Sequence, residues 1–336
     1  MVLKKIVQLE NATYIDYIEN KVIVSVKTET TPGSFLTGGD KFFCVVKGKV
    51  ENEIQLKHHS FLTFNKGIIY KEMEDGDIFY YDFNVTDKIL PSGNYFSPIK
   101  ERLNKEYFHY TEIDKYLNTK HFIYNKGNLK KKLPNTYNLE LNSYLVNYSK
   151  RDGIITAFAQ ETYKQCWIYK VEGNLRINKR EKIFADEDLV FIPLMDGKLL
   201  SINITAGTFQ WIWKEVNEEY LSFEQITKYI YVSFGRGIIE LEKCTGKTTK
   251  IKEFASICEL QSFHASGPIW CFEKVIVLID SIYGKVVVLN YDFELVGFYE
   301  IGKPGIANSK EKIIYSEDCL YVLGMDNTLY VFEINI

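Results

Sequence analysis

The chain has 336 residues, of which 46% are hydrophobic, 25% charged and 15% aromatic. That apolar share is ordinary for a globular protein and excludes a disordered chain. A formal charge of −3 supplies no basic surplus for nucleic acid or anionic lipid, so neither is an expected partner.

Taken in chain order, the N-terminus reads MVLKKIVQLE, where charge breaks the apolar run after three positions. A secretory signal needs an apolar core of about 7–15 residues. Residues 189–195 form the longest apolar candidate elsewhere, but Pro193 interrupts them and a membrane span needs about 20. A cytoplasmic protein with no membrane partner is the expectation.

Residues 21–26 and 42–46 are β-branched and aromatic runs that predict a strand pair joined by a long loop. Residues 68–82 predict a tighter hairpin around Asp75-Gly76. Next, Ser97-Pro98 offers a capping hydroxyl followed by proline at a first helical position, and Thr111-Glu112-Ile113-Asp114 resembles a second helix start. These signals predict an insertion over 93–120, with short helices near 97–118. Its aromatic residues, together with one arginine, are the types found as interface anchors. Tyr95, Phe96, Arg102, Tyr107, Phe108, Tyr110 and Tyr116 are therefore the candidate partner-binding residues. Lys126, Lys130, Lys131 and Lys132, just before Pro134, read as a solvated turn.

Five further hairpins follow, over 144–158, 189–202, 229–241, 274–289 and 319–332. Their turns centre on Asp152-Gly153, Asp196-Gly197, Gly235-Arg236-Gly237, Gly284 and Asp326-Asn327, residues that tolerate positive φ. Turn positions 153, 197, 237, 284 and 327 lie 44, 40, 47 and 43 residues apart. That is the period of one four-stranded propeller blade.

The repeats also align internally. From Gly153, Ile155, Ala157, Thr162 and Trp167 follow at fixed offsets. From Gly197 the same offsets hold Leu199, Ser201, Ile202, Asn203, Gly207 and Trp211. From Arg236 they hold Ile238, Leu241, Glu242, Thr245 and Gly246, with Lys250 where the tryptophan belongs. Gly284 brings Val286, Val288, Leu289 and Asn290, then Phe298 at the aromatic offset. The aromatic is expected to dock on an adjacent blade, so Trp167 and Trp211 are expected to be buried.

On these residues the chain resembles the pyrroloquinoline-quinone-type repeat family of β-propellers. Its consensus runs Gly-x-Leu-x-Ala-Leu-Asp-x-x-Thr-Gly-x-x-x-Trp. The resemblance covers about 67–336 and is sharpest in the repeats starting at 153, 197 and 236. It implies an all-β fold of four-stranded antiparallel blades, seven favoured and eight the alternative, as one domain over 1–336. The last hairpin ends near the C-terminus, so strand residues near Leu9 are expected to complete that blade against 329–336.

Chemistry is less legible. Quinone enzymes of this family carry adjacent cysteines and a calcium site, whereas Cys44, Cys166, Cys244, Cys258, Cys271 and Cys319 are never adjacent and never form C-x-x-C. These cysteines read as buried free thiols. An outer-membrane assembly lipoprotein shares the propeller but needs a lipidated cysteine after a signal, and the first here is Cys44. The histidines His58, His59, His109, His121 and His264 lack zinc-site spacing, and His264 is expected to be packed or exposed rather than facing a channel. The acidic runs at 72–77 and 186–188 lack a calcium-loop pattern, and there is no nucleophile elbow or phosphate loop. The expectation is a non-enzymatic protein-binding scaffold, monomeric outside its complex. No catalytic residue, metal or cofactor is assigned. An inhibitor or immunity-type protein that occludes a partner is its specific form; a sugar- or metabolite-binding propeller and a channel-centred hydrolase or lyase are the alternatives.

Overall fold

The computed structural model describes residues 4–18, 21–26, 41–55, 58–64, 67–72, 78–81, 86–90, 94–97, 101–102, 107–113, 119–125, 128–133, 139–141, 143–149, 152–171, 183–186, 188–195, 197–214, 222–302, 305–306 and 312–334. Among them the backbone forms eight sheets, seven of four strands and one of five. Eight blades is thus the number of sheets described, the alternative rather than the favoured count. Four sequence-consecutive strands per sheet, antiparallel in order, is the blade construction of a β-propeller.

The chain divides into two compact units, one of Met1–Phe61, Tyr70–Met73 and Tyr220–Ile336, the other of Leu62–Ile69 and Glu74–Glu219. The first unit holds the sheet of Ser222–Ile226, Tyr229–Phe234, Gly237–Glu242 and Thr248–Glu253, then that of Trp270–Cys271, Ile276–Asp280, Lys285–Leu289 and Leu295–Glu300. Next come Ile313–Ser316, Cys319–Leu323 and Leu329–Glu333, completed by Lys4–Leu9. The expected N-terminal strand is there: Leu9 pairs with Leu329 and Lys4 with Glu333. Ala12–Ile18, Lys21–Val26, Lys41–Val46 and Lys49–Gln55 make the unit's remaining complete sheet. In the second unit, Leu139–Leu141, Tyr144–Ser149, Ile154–Ala159 and Gln165–Lys170 form one sheet, and Phe184–Asp186, Leu189–Pro193, Leu199–Asn203 and Phe209–Trp213 the next.

Middle strands such as Ile276–Asp280 and Cys319–Leu323 are buried at every position. A strand covered on both faces has no solvent side to mark with polar residues, hence their continuous apolar runs. Outer strands such as Phe209–Trp213 alternate between exposed and buried near their ends. Apolar clusters fill the spaces between sheets: Val146, Ile155 and Trp167 pack with Val190 and Ile202, and Val277, Val286 and Val288 with Leu320 and Phe332.

The turn after each third strand repeats in detail. A β-bulge falls at 157/158, 201/202, 240/241 and 288/289, four or five residues beyond the aligned starts. Gly207 and Gly246 then adopt φ of +67° and +68°. Their N–H groups donate to Asn203 and Glu242 carbonyls at 2.9 and 2.8 Å. This is the three- to five-residue hairpin loop whose left-handed position admits glycine most cheaply. Tyr163 holds the same position at φ +56°.

The tryptophans are where the repeat places them. Trp167 and Trp211 are 8% and 9% exposed. The Trp167 indole N–H donates to the Ile204 carbonyl at 2.5 Å, and its ring lies on Gly207. Lys250, at the tryptophan offset, donates to the Tyr291 carbonyl at 3.1 Å and pairs with Asp292 at 3.3 Å. Ile204 and Tyr291 are both seven residues beyond their turn glycines, so lysine and tryptophan reach equivalent acceptors on the following sheet. Glu240, buried at 3% exposure, accepts from Tyr231 Oη at 2.8 Å and Thr249 Oγ1 at 2.6 Å, with Lys250 at 3.8 Å.

The expected helices near 97–118 are corrected. Asn94–Ser97, Glu101–Arg102 and Tyr107–Ile113 are strands, and no α-helix occurs among the described residues. Ser97 ends a strand: the residue before proline is driven toward extended geometry, which suits a strand end as well as a helix boundary. The aromatic and β-branched sequence YFHYTEI then favours a strand. It joins Asn94–Ser97, Thr119–Asn125 and Asn128–Leu133 in a sheet, so Lys130, Lys131 and Lys132 lie on strand, not in a turn. The thiols also divide: Cys44 and Cys319 are buried as expected, Cys271 is half-buried, and Cys166 and Cys244 are exposed because outer strands and turns present their side chains to solvent.

Candidate functional site

The backbone places most of the sequence-predicted contact residues on adjoining strands. Phe96 pairs with Tyr110, which pairs with Phe122, while Tyr107 and Phe108 pair with Asn125 and Tyr124. Tyr95 pairs with Thr111. Arg102 lies instead on a short strand parallel to Leu139–Leu141, opposite Glu140. Tyr116 lies outside the described residues. Five of the seven thus share one sheet.

A second group emerges only in three dimensions. In three sheets the turn between second and third strands carries an exposed apolar side chain two residues before its left-handed residue: Met195 at 52%, Ile282 at 64% and Met325 at 59% exposure. Tyr283 adds a ring at 57%. In the first unit these turns are tied together through connecting segments. Ala265 N donates to Gly235 O at 2.9 Å, and Ser266 N to Ile279 O at 3.0 Å. Ser266 and Ser281 hydroxyls lie 2.9 Å apart. Ile306 N then donates to Ser281 O, and Met325 N to Gly305 O, each at 3.1 Å. A hydrogen-bonded path therefore runs from the Gly235-Arg236 turn through Ala265-Ser266, Ser281 and Gly305-Ile306 to Met325, with His264, Ile282 and Tyr283 as chain neighbours of its members.

Two carboxylates brace these turns: Asp280, which is buried just before one of them, and Asp326, which is exposed within another. Asp280, 2% exposed, accepts from the Ile282 and Tyr283 amides at 3.2 and 3.1 Å, fixing the turn that raises both side chains. Asp326 accepts from Thr328 N at 3.0 Å and Tyr330 Oη at 2.8 Å. His264 is exposed, with its imidazole lying over Gly235.

Elsewhere in the same unit, a polar cleft of about 440 Å³ is bounded by Lys47, Lys274, Glu317 and Asp318, with Ile6 and Ile334 on its wall. Glu317 and Asp318 form a two-residue turn with φ of +52° and +58°, a primed geometry that strand twist favours but side chains resist. Lys274 reaches Asp318 at 2.9 Å, Tyr315 Oη donates to the same oxygen at 2.9 Å, and Lys47 lies 3.5 Å from Glu317. The bonds from Lys274 and Tyr315 hold Asp318 below the usual carboxylate range, and the Asp318 bond raises Lys274. Burial pushes the Cys319 thiol upward, so it is not poised as a nucleophile. The cleft is a set of paired charges holding turns. Among the described residues no group of three or more His, Cys, Asp or Glu could hold a metal.

No protein-family model matches the sequence, and comparison with curated proteins finds no match. Solved structures do match in fold. The computationally designed Ika8 protein aligns with a TM-score of 0.60 at 11% identity, over 99% of this chain and 98% of that one. Saccharomyces cerevisiae Sqt1, a WD40 propeller, aligns at 0.59 and 12% identity over 100% of both chains. BamB from Moraxella catarrhalis spans 100% of this chain and 98% of its own at 12% identity, but with a TM-score of 0.46. The sheet order and the Sqt1 alignment together give this chain the β-propeller fold.

Proposed function

We propose that the chain is a non-enzymatic protein-binding propeller, a scaffold whose most specific form is an inhibitor or immunity-type protein covering a partner's functional surface. The observation that supports this reading is the recurrence of an exposed apolar side chain at one turn position, in Met195, Ile282 and Met325. Single exposed apolar residues are ordinary, but their recurrence on rigid turns suits contact with another protein. In this reading the partner is a protein, met in the cytoplasm by a chain that is otherwise monomeric. Tyr95, Phe96, Arg102, Tyr107, Phe108, Tyr110 and Tyr116 are proposed as a separate contact surface of the same kind.

Affinity capture with the immobilised full chain, followed by mass spectrometry, supplies the partner; reconstitution from purified components tests it. A stoichiometric complex is expected. A chain that forms no such complex, yet retains or turns over a small metabolite, contradicts the reading. Tyr107→Ala combined with Tyr110→Ala, its folding checked by circular dichroism, is expected to weaken the complex. Unchanged affinity removes that surface.

A further inference from the structure

Resting on the protein-binding reading, we infer that the turn path of the first unit is a docking surface for a protein segment that carries an apolar side chain next to acidic residues. Ile282, Tyr283 and Met325 supply its apolar part, more than half exposed yet fixed by main-chain hydrogen bonds on both sides. Tyrosine and methionine are enriched at protein interfaces, and a preorganised turn loses little freedom on binding.

The charge pattern selects the partner. Along the path through 234–237, 264–266, 281–284, 305–306 and 324–327, Asp326 is the one carboxylate among the described residues. One of its oxygens accepts from Thr328 N and the other from Tyr330 Oη on the following strand. Arg236 is exposed, and its guanidinium meets no partner among the described residues. His264, packed on the neighbouring Gly235, is also exposed. Glu253, across the strand pair from Gly237, makes no ion pair with Arg236 among the described residues. The surface therefore offers an unspent planar cation at one end and apolar side chains at the other. Arginine's fork matches a carboxylate in two hydrogen bonds, so an acidic side chain is its natural complement. A basic segment would meet one carboxylate among the described residues of the path, Asp326, each of whose oxygens already accepts a hydrogen bond.

The test is selection of a phage-displayed random twelve-residue peptide library on the full chain. The strongest peptide is then synthesised with a fluorescent label for anisotropy titration. Enriched sequences are expected to place Asp or Glu near Leu, Phe or Trp. Arg236→Glu, and separately Tyr283→Ala with Met325→Ala, are each expected to weaken binding about tenfold or more. These residues are solvent-facing, and circular dichroism confirms that the variants fold. Peptides bound equally by wild type and both variants overturn this surface while leaving the protein-binding reading intact. Failure to enrich any sequence counts against both. Displacement of the labelled peptide by a thymidine oligonucleotide, through the same residues, overturns the choice of a protein segment.

Discussion

At single residues the fold depends on where a Cβ atom fits. Gly207 sits at φ +67° with the Trp167 ring where a Cβ would stand, 2.6 Å from Cδ2. Gly302, at φ +83°, has nothing within 4 Å of that point. Gly302→Ala therefore incurs only the left-handed backbone cost, about 1–2 kcal/mol. Gly207→Ala adds a clash with a packed ring, so chemical denaturation is expected to show a clearly larger loss than for Gly302→Ala. Equal losses contradict the docking of Trp167. Truncating Trp167 itself to alanine is expected to cost roughly 3–5 kcal/mol. Lys250→Ala, which removes a part-exposed amine from the equivalent position, is expected to cost about 1 kcal/mol.

Asp318 provides a residue-scale test by pH. Its hydrogen bonds from Lys274 and Tyr315 lower its folded pKa. A carboxylate depressed in the folded state contributes stability above its unfolded pKa and loses it as pH falls through the folded one. Asp318→Asn is thus expected to be less stable than wild type at neutral pH. The difference should close in acid, below the usual carboxylate range. A difference constant from neutral to strongly acidic pH contradicts the pairing.

Among elements, legibility followed burial and turn chemistry. Middle strands such as Tyr229–Phe234 were readable because both faces are covered and a two-residue turn, Gly235-Arg236, closes them. The sheet containing Asn94–Ser97 and Tyr107–Ile113 was not, since hydroxyl followed by proline fits either a helix start or a strand end. Local residues cannot decide between those two, whereas the cross-strand partners Thr111, Tyr110 and His109 do. The aromatic set was legible as a composition but not as a register. The Arg236–Met325 path was invisible for another reason: its continuity comes from the connecting segments at 264–266 and 305–306, which carry no repeat signature. One signal existed, an apolar residue two before the turn residues Gly197, Gly284 and Asn327.

For the molecule as a whole, the repeat gives every sheet the same problem, an outer strand with an unpaired edge. In the last sheet Lys4–Leu9 lies beside Leu329–Glu333. Deleting residues 1–9 exposes that apolar strand as a new edge, a template for intermolecular pairing. Lower thermal stability and concentration-dependent association in light scattering are expected; a monomeric deletion variant as stable as wild type contradicts the pairing. The buried carboxylates Glu240 and Asp280 hold a sheet and a turn, while Ile282, Tyr283 and Met325 stay exposed on the turns.

The most direct test is calorimetric titration of the intact chain with its purified capture partner at several temperatures. Saturable one-to-one binding with a negative heat-capacity change is predicted, as apolar side chains leave water. Tyr283→Ala with Met325→Ala should reduce both affinity and that heat-capacity change. Absence of saturable protein binding by the folded chain, alongside turnover or tight retention of a small molecule, would contradict the account.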